Sequence, residues 1–177
     1  QLDAGLPAIS SPKISDIVDD LKEFNLLSLK PVIYVCNVDE KSIIEGNKFT
    51  KDLSESIKEN IILISAEIES QISSLSSADQ AEYLESLGLK QSGLNKIIKS
   101  GYQILSLITY FTSGEQETRA WTVKSGSKAP DAAGKIHTDF QSGFIRAETI
   151  SYDDFVECEG EIRAKELGKM RSEGKEY

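Results

Sequence analysis

Two short apolar runs with a polar segment between them mark the first half of the chain. PVIYVCN, residues 31–37, is apolar and rich in β-branched and aromatic residues, and IILIS, residues 61–65, shows the same pattern. Runs of this kind predict strands that are covered on both faces, as in a parallel sheet. NKFTKDLSESIKEN, residues 47–60, predicts a helix between them. Strand, helix and strand together predict a βαβ unit.

Apolar residues at helical spacing flank this unit. KISDIVDDLKEF follows a proline, which suits a first helical turn, and predicts a helix from about Pro12 to Phe24. Residues 66–105 are predicted to be mainly helical. Within them, Ser77 and Gln80 stand at the spacing of a capping box, and Gly88 is the predicted end of that helix.

Near Leu107 the pattern changes from helical to strand-like. The runs LITYFT, TRAWTV and FIRAETI have strand composition and are separated by turn-rich segments. After Tyr152 the sequence predicts short helices and surface segments. We therefore place a domain boundary at about residues 104–107.

Composition narrows the class of protein. With 39% hydrophobic and 28% charged residues, the chain is typical of a globular protein, and no segment is long enough to cross a membrane. A net charge of −9 argues against binding nucleic acid or anionic membranes through bulk charge. Cys36 and Cys158 form no metal-ligand spacing, so a reducing cytoplasmic location is expected. The chain begins at Gln1 and shows no signal peptide, and we expect it to be part of a longer protein.

Polar residues follow both predicted strands. Asn37, Asp39 and Glu40 come after the first, and Ser65-Ala66-Glu67 comes after the second. Ligands of open α/β sheets bind at the carboxyl ends of strands, which predicts one small-molecule site. An amide with a donor and an acceptor, next to a carboxylate, suits the edge of a nucleobase. The alternative is that Asn37 caps a turn and the acids are merely solvated.

The segments NVDE and SAE resemble the base-recognition pair of P-loop GTPases, in the altered Asn-x-x-Glu form of the Obg-like ATPase (YchF) family. Residues 107–155 resemble that family's C-terminal TGS domain almost without interruption, and the resemblance extends from about Lys30 onward. It implies an α/β C-terminal part of a P-loop-type G domain, a parallel sheet with helices, preceded by the end of a helical insertion, in residues 1–103. Residues 104–177 would form an α+β, ubiquitin-like β-grasp TGS domain that lacks its last strand.

The resemblance also implies roles for individual residues. Asn37 would bind the base, and Val38 would contact it through its backbone or its apolar side chain. Glu40 stands where guanine-specific proteins place Asp, which implies a preference for ATP over GTP. Backbone groups around Ser65 and Ala66 would support the base.

The implied function is ATP binding and hydrolysis used as a switch, with the TGS domain contacting the ribosome, RNA or another translation partner. No G-x-x-x-x-G-K-[ST] motif occurs, so the catalytic residues and the Mg²⁺ site would lie outside this chain, which alone should not hydrolyse ATP. The alternative is a non-enzymatic module that binds RNA, the ribosome or a protein through the TGS domain. The family implies a cytoplasmic protein without membrane association.

Three further features have competing interpretations. His137 with Asp139 could ligate a metal or act in acid–base chemistry, but a structural role is expected. Trp121 is expected to fill a core rather than to stack on a base. A group of basic residues is either an RNA-contacting surface or a solvated face: Arg119, Lys124, Lys128, Lys135 and Arg146.

Overall fold

Three two-stranded sheets and short helices form a mixed α/β structure in the computed structural model, which describes residues 2–57, 61–114 and 116–177. The chain divides into two compact units, Gln1–Ile104 (unit 1) and Leu105–Tyr177 (unit 2). Unit 1 contains α1 Ile14–Leu21, β1 Tyr34–Asn37, α2 Lys48–Ile57, β2 Ile61–Ile64, α3 Ala66–Ser73, α4 Ser77–Ser86 and α5 Gly93–Ile104. Unit 2 contains β3 Leu107–Ser113, β4 Thr118–Lys124, α6 Ala129–Ile136, α7 Thr138–Ser142, β5 Ala147–Thr149, α8 Tyr152–Glu157, α9 Glu161–Glu166 and β6 Arg171–Glu173. Among the described residues, no helix is long and apolar enough to cross a membrane.

The βαβ prediction for unit 1 is confirmed. Strands β1 and β2 pair in parallel, from Tyr34 opposite Ile61 to Asn37 opposite Ile64, and α2 connects them. The predicted end of that helix, residues 58–60, lies outside the described residues. The prediction that both faces of β1 are covered is wrong, since Val35 is 41% exposed. Helix α5 packs over β2, and on that face the side chains of β1 are left open.

The core of unit 1 lies on the other face of this sheet. It consists of Val38, Ile43, Ile68 and Ile72, and Ile68 is only 1% exposed. Burial of one such side chain contributes about 1.5–3 kcal/mol. Cys36, half-buried, packs against this cluster as a small hydrophobic residue would. The cluster holds α3 and the turn after β1 against the sheet.

Helix starts differ from the predictions by one or two residues. Helix α1 begins at Ile14 rather than Pro12, and a 3-10 turn, Lys22–Phe24, continues it. Strand β1 begins three residues later than predicted, at Tyr34 rather than residue 31, and Ser65 occupies the N-cap position of α3 instead of ending β2. The residues left out of these elements have helix or strand composition, but strand pairing and turn geometry decide where each element begins and ends.

The cap of α4 is Ser76 rather than Ser77. The Ser76 hydroxyl accepts a hydrogen bond from the Asp79 N–H and donates one to its carboxylate. Gln80, predicted to complete the capping box, instead donates to the carbonyls of Ile72 and Leu75. The predicted stop at Gly88 is confirmed, because this residue has φ +70° directly after the helix.

Unit 2 is built from two antiparallel strand pairs. Strands β3 and β4 form a hairpin, and α6 packs against it, with a hydrogen bond of 2.7 Å from the Tyr110 hydroxyl to the Ala132 carbonyl. Burial raises the pKa of Tyr110. Strand β5 is shorter than predicted, and its partner β6 was not predicted as a strand. Arg-Ser-Glu in β6 has no strand composition, so only pairing with β5 identifies it.

Side-chain contacts join α8 to the segment before β6. Asp154 accepts a hydrogen bond of 2.6 Å from the Ser151 hydroxyl, and the Lys169 ammonium lies 3.0 Å from its carboxylate. The Ser151 hydrogen bond and then the Lys169 hydrogen bond hold the pKa of Asp154 below its usual value. The same contact raises the pKa of Lys169.

We predict that Asp154→Asn destabilises unit 2 near neutral pH and has little effect in acid. A lowered folded pKa means that the carboxylate contributes stability above the unfolded value of 3.8 and loses it as the pH falls through the folded value. Thermal unfolding of the wild-type and variant chains at about pH 7 and about pH 3 measures this. Asp153→Asn, which removes one carboxylate from the same helix without breaking a described hydrogen bond or ion pair, is the control for the change in net charge. An equal difference at both pH values contradicts the prediction.

A second prediction concerns Gly93, the first residue of α5. A Cβ atom there would lie 2.7 Å from Cγ2 of Ile64 and 2.9 Å from Oε1 of Glu69. Gly93→Ala should therefore lower the free energy of unfolding by about 1–3 kcal/mol. Gly101→Ala, in the same helix with nothing within 4 Å, should raise it by about 0.5–1 kcal/mol. Urea unfolding followed by circular dichroism compares them, and a Gly93→Ala chain as stable as Gly101→Ala would contradict the close packing.

Candidate functional site

The polar residues after β1 and β2 meet at one edge of the sheet. The register places Asn37 opposite Ile64, so both strands end at the same level. The Asn37 Oδ1 atom accepts a hydrogen bond of 3.0 Å from the N–H of Ala66, which is the first residue of α3. A side chain from one strand end thus satisfies a free N–H at the start of the next helix.

This hydrogen bond determines what the Asn37 amide can still do. Its oxygen faces the Ala66 N–H, and its NH₂ group has no hydrogen-bond partner among the residues that the structure describes. The side chain is exposed. Asn37 therefore makes a structural contact with the start of α3 through its oxygen, close to the alternative expectation, and presents a donor of fixed orientation at the sheet edge.

Val38 lies inside the protein. Its side chain is 9% exposed and belongs to the core of unit 1, and its N–H donates to the Ile64 carbonyl at 2.8 Å. Val38 was expected to contact a base through its backbone or its side chain. The side chain is buried in the core and is not accessible to a base. The backbone retains only its carbonyl group for such a contact.

The two acids after Val38 have different environments. The Asp39 carboxylate accepts a hydrogen bond of 2.9 Å from the Ser42 N–H and caps the 3-10 turn Glu40–Ser42. Glu40 opens this turn and its side chain is exposed. The cap orients the turn, so Glu40 projects from a defined position while Asp39 has a structural role.

On the other strand end, Ser65 and Ala66 are held by backbone contacts. The Ser65 side chain is buried and its carbonyl accepts from the Glu69 N–H, while the Ala66 N–H is used by Asn37. Glu69, which no sequence pattern singled out, accepts a hydrogen bond of 2.6 Å on its carboxylate from the Gly93 N–H. Glu69 thereby joins α3 to the first residue of α5.

The other candidates have structural partners. The His137 Nδ1 atom accepts from the Asp139 N–H at 3.2 Å and caps α7. No group of three or more possible metal ligands occurs within residues 2–57, 61–114 and 116–177. Trp121 is half-buried and donates from its indole nitrogen to the Thr112 hydroxyl at 2.9 Å. His137 thus has a structural contact of the expected kind, whereas Trp121 is only half-buried, so its expected role in filling a core stays a prediction.

The basic group of unit 2 is partly engaged. The Arg119 guanidinium lies 4.3 Å from the centre of the Trp121 ring, and Lys128 forms an ion pair with Glu176. Lys124, Lys135 and Arg146 are exposed, and none of them forms an ion pair with a described residue. The group therefore presents at least three cations to solvent without a partner among the described residues.

Comparisons with known proteins agree on one family. The family model YchF-GTPase_C, described as a protein of unknown function (DUF933), matches residues 107–177. The chain is 46% identical over 165 residues to the ribosome-binding ATPase YchF of Haemophilus ducreyi, covering 92% of this chain and 45% of that protein. Identity to the ribosome-binding ATPase YchF of Bacillus subtilis is 48% over 162 residues, covering 89% and 44%.

A solved structure extends this similarity to both units. The Schizosaccharomyces pombe YchF GTPase matches with a TM-score of 0.86 and 35% identity, covering 99% of this chain and 48% of that one. The chain spans less than half the length of these relatives. It belongs to the YchF family and corresponds to the C-terminal portion of that family's members.

Proposed function

We propose that unit 1 supplies the base-recognition half of an ATP site in a YchF-family ATPase. In this proposal, residues 1–103 are the end of a helical insertion and the C-terminal part of a P-loop-type G domain. Residues 104–177 are a β-grasp TGS domain. The names of the relatives, ribosome-binding ATPases and a GTPase, support nucleotide binding by the whole protein.

The observation that carries this proposal is the hydrogen bond between Asn37 and Ala66. Because the amide oxygen accepts from the backbone, the NH₂ group is oriented to donate to a ring nitrogen of a purine. Preorganisation of this donor lowers the cost of binding. Asn37, Glu40 and the loop at Ser65 and Ala66 would therefore line the base, and Val38 would contribute only its carbonyl.

Glu40 would set the choice between adenine and guanine. Guanine presents N1–H and a 2-amino group, and a carboxylate at the right distance accepts from both, whereas adenine presents an unprotonated N1 and a 6-amino donor. Glu is one methylene longer than the Asp expected in a guanine site. It would misplace the carboxylate for guanine and so favour ATP.

The hydrolytic step belongs to residues outside this chain. No phosphate-binding G-x-x-x-x-G-K-[ST] motif is present, and the described residues offer no cluster of metal-ligating side chains that fits Mg²⁺. The residues of unit 1 would bind and orient the base only. The 177-residue chain alone is expected to hydrolyse no ATP.

Unit 2 would contact the partner, for which the ribosome is the candidate suggested by the names of the relatives. The exposed Lys124, Lys135 and Arg146 favour this role. The competing function is a non-enzymatic module in which the nucleotide site is vestigial. Titration of ATP into a full-length protein that contains this chain separates the two, because a protein that binds no nucleotide supports the module.

Asn37→Asp in that full-length protein tests the amide directly. The variant keeps an oxygen for the Ala66 N–H but loses the donor, so we expect the stability to stay within about 0.5 kcal/mol while ATP affinity falls at least about tenfold. Asn37→Ala should lower both the stability and the ATP affinity. Calorimetric titration measures the ATP affinity and thermal unfolding measures the stability. Asn95→Ala, at an exposed position of α5, is the control. Unchanged ATP affinity in Asn37→Asp would exclude base recognition by this amide.

Glu40→Asp tests the specificity. The shorter carboxylate should accept from guanine and raise GTP affinity relative to ATP by about ten- to a hundredfold, the value of charge-assisted hydrogen bonds. The matched control is Glu45→Asp, an exposed carboxylate five residues away. Parallel ATP and GTP titrations of both variants give the ratio. If wild-type protein binds both nucleotides equally, Glu40 has no discriminating role.

A further inference from the structure

The segment that carries Glu40 is anchored at both ends in the core of unit 1. Val38 is 9% exposed and Ile43 is 7% exposed, and both side chains belong to the same buried cluster. Only residues 39–42 lie between these two anchors. Because the start and the end of the segment are fixed, the path of the backbone between them decides where the Glu40 side chain begins.

Asp39 holds that path with a side-chain hydrogen bond. Its Oδ1 atom accepts a hydrogen bond of 2.9 Å from the Ser42 N–H, and its backbone carbonyl accepts from the same N–H at 3.1 Å. Among the described residues, this is the only hydrogen bond that a side chain of residues 38–43 makes. Asp is preferred at such a position because its side-chain oxygen satisfies an N–H of the first turn.

The Glu40 side chain has no comparable support. It is exposed and has no hydrogen-bond or ion-pair partner in the part of the chain that the structure describes. The position of its carboxylate therefore depends on the backbone from which it extends. Ile43 contributes to that backbone, since its N–H donates to the Glu40 carbonyl at 3.3 Å and continues the 3-10 turn.

A fixed turn is what the discrimination between adenine and guanine requires. Glu differs from Asp by one carbon–carbon bond, which is about 1.5 Å. A backbone that could move back by this distance would cancel the difference, because the longer side chain would then place its carboxylate where the shorter one does. Selection by side-chain length therefore needs a turn that cannot retreat.

We propose that Asp39 is a positioning residue for nucleotide specificity. Its cap holds the turn, so that the Glu40 carboxylate cannot retreat into line with N1–H and the 2-amino group of guanine. The inference rests on the proposed function, in which Glu40 faces the base. Asp39 itself contacts no nucleotide and acts through the backbone of Glu40. A cap that merely stabilised the turn would affect the binding of ATP and GTP equally.

Substitutions in a full-length protein that contains this chain separate these two roles. Asp39→Ala removes the acceptor, and Asp39→Gly removes it at a smaller cost to folding, because glycine is tolerated at cap positions. Asp39→Asn keeps an oxygen for the Ser42 N–H and removes only the charge. Glu45→Ala controls for net charge, since it removes a nearby exposed carboxylate without breaking a described hydrogen bond or ion pair.

Calorimetric titrations with ATP and with GTP give both dissociation constants for each variant, and thermal unfolding shows whether it is folded. Asp39→Ala and Asp39→Gly should lower the ratio of the GTP to the ATP dissociation constant about three- to tenfold, because the freed turn admits guanine. Asp39→Asn and Glu45→Ala should keep the wild-type ratio.

The Glu40→Asp protein provides a test with the opposite sign. There the shorter carboxylate needs the fixed turn in order to meet guanine, so adding Asp39→Ala should weaken GTP binding instead of strengthening it. A cap that only stabilised the turn would change GTP affinity in the same direction in both backgrounds.

The outcomes distinguish this inference from the proposal on which it rests. Equal affinity of the wild-type protein for ATP and GTP would overturn both. A wild-type preference for ATP that stays unchanged in Asp39→Ala and Asp39→Gly would overturn the role of Asp39 alone. The same change of ratio in Glu45→Ala would also overturn it, because net charge would then explain the effect.

Discussion

The parallel pairing of β1 with β2 is the constraint on which the geometry of unit 1 depends. It brings Asn37 level with Ile64, so that one amide reaches the first N–H of α3. It also extends one residue further, where the Val38 N–H donates to the Ile64 carbonyl and directs the Val38 side chain into the core. A slip of one residue in this register would exchange the two side chains between the edge and the interior.

Four consecutive residues, beginning with the last residue of β1, have four different roles. Asn37 spans the strand ends, Val38 fills the core, Asp39 caps a turn, and Glu40 is left exposed at the start of that turn. Of the four side chains, the NH₂ group of Asn37 and the carboxylate of Glu40 have no hydrogen-bond or ion-pair partner among the described residues. The segment therefore presents a donor and an acceptor at the sheet edge, because Val38 and Asp39 hold its backbone in place.

Unit 2 is stabilised differently, since few of its apolar residues are buried. Val123, Cys158 and Ala164 are buried, while polar contacts join the remaining elements. The Tyr110 hydroxyl holds α6, and the Asp154–Lys169 pair connects α8 to the segment before β6. Several large apolar residues of unit 2 stay exposed, among them Phe140 and Ile145.

The sequence by itself determined the βαβ unit, because local composition indicates its strands and helix. It also determined the stop at Gly88, because glycine adopts a positive φ freely. The proximity of the two polar clusters followed from the common edge that parallel strands share. The family was also recognisable from NVDE, SAE and the long stretch after Leu107. Tertiary structure decided which residues of each polar cluster are exposed and which are buried or engaged in hydrogen bonds. The burial of Val38, the bond from Asn37 to Ala66, the contact of Glu69 with Gly93 and the strand β6 all depend on partners distant in sequence. A sequence pattern shows which residues can pair or be buried, and only packing in three dimensions decides which partner each one meets.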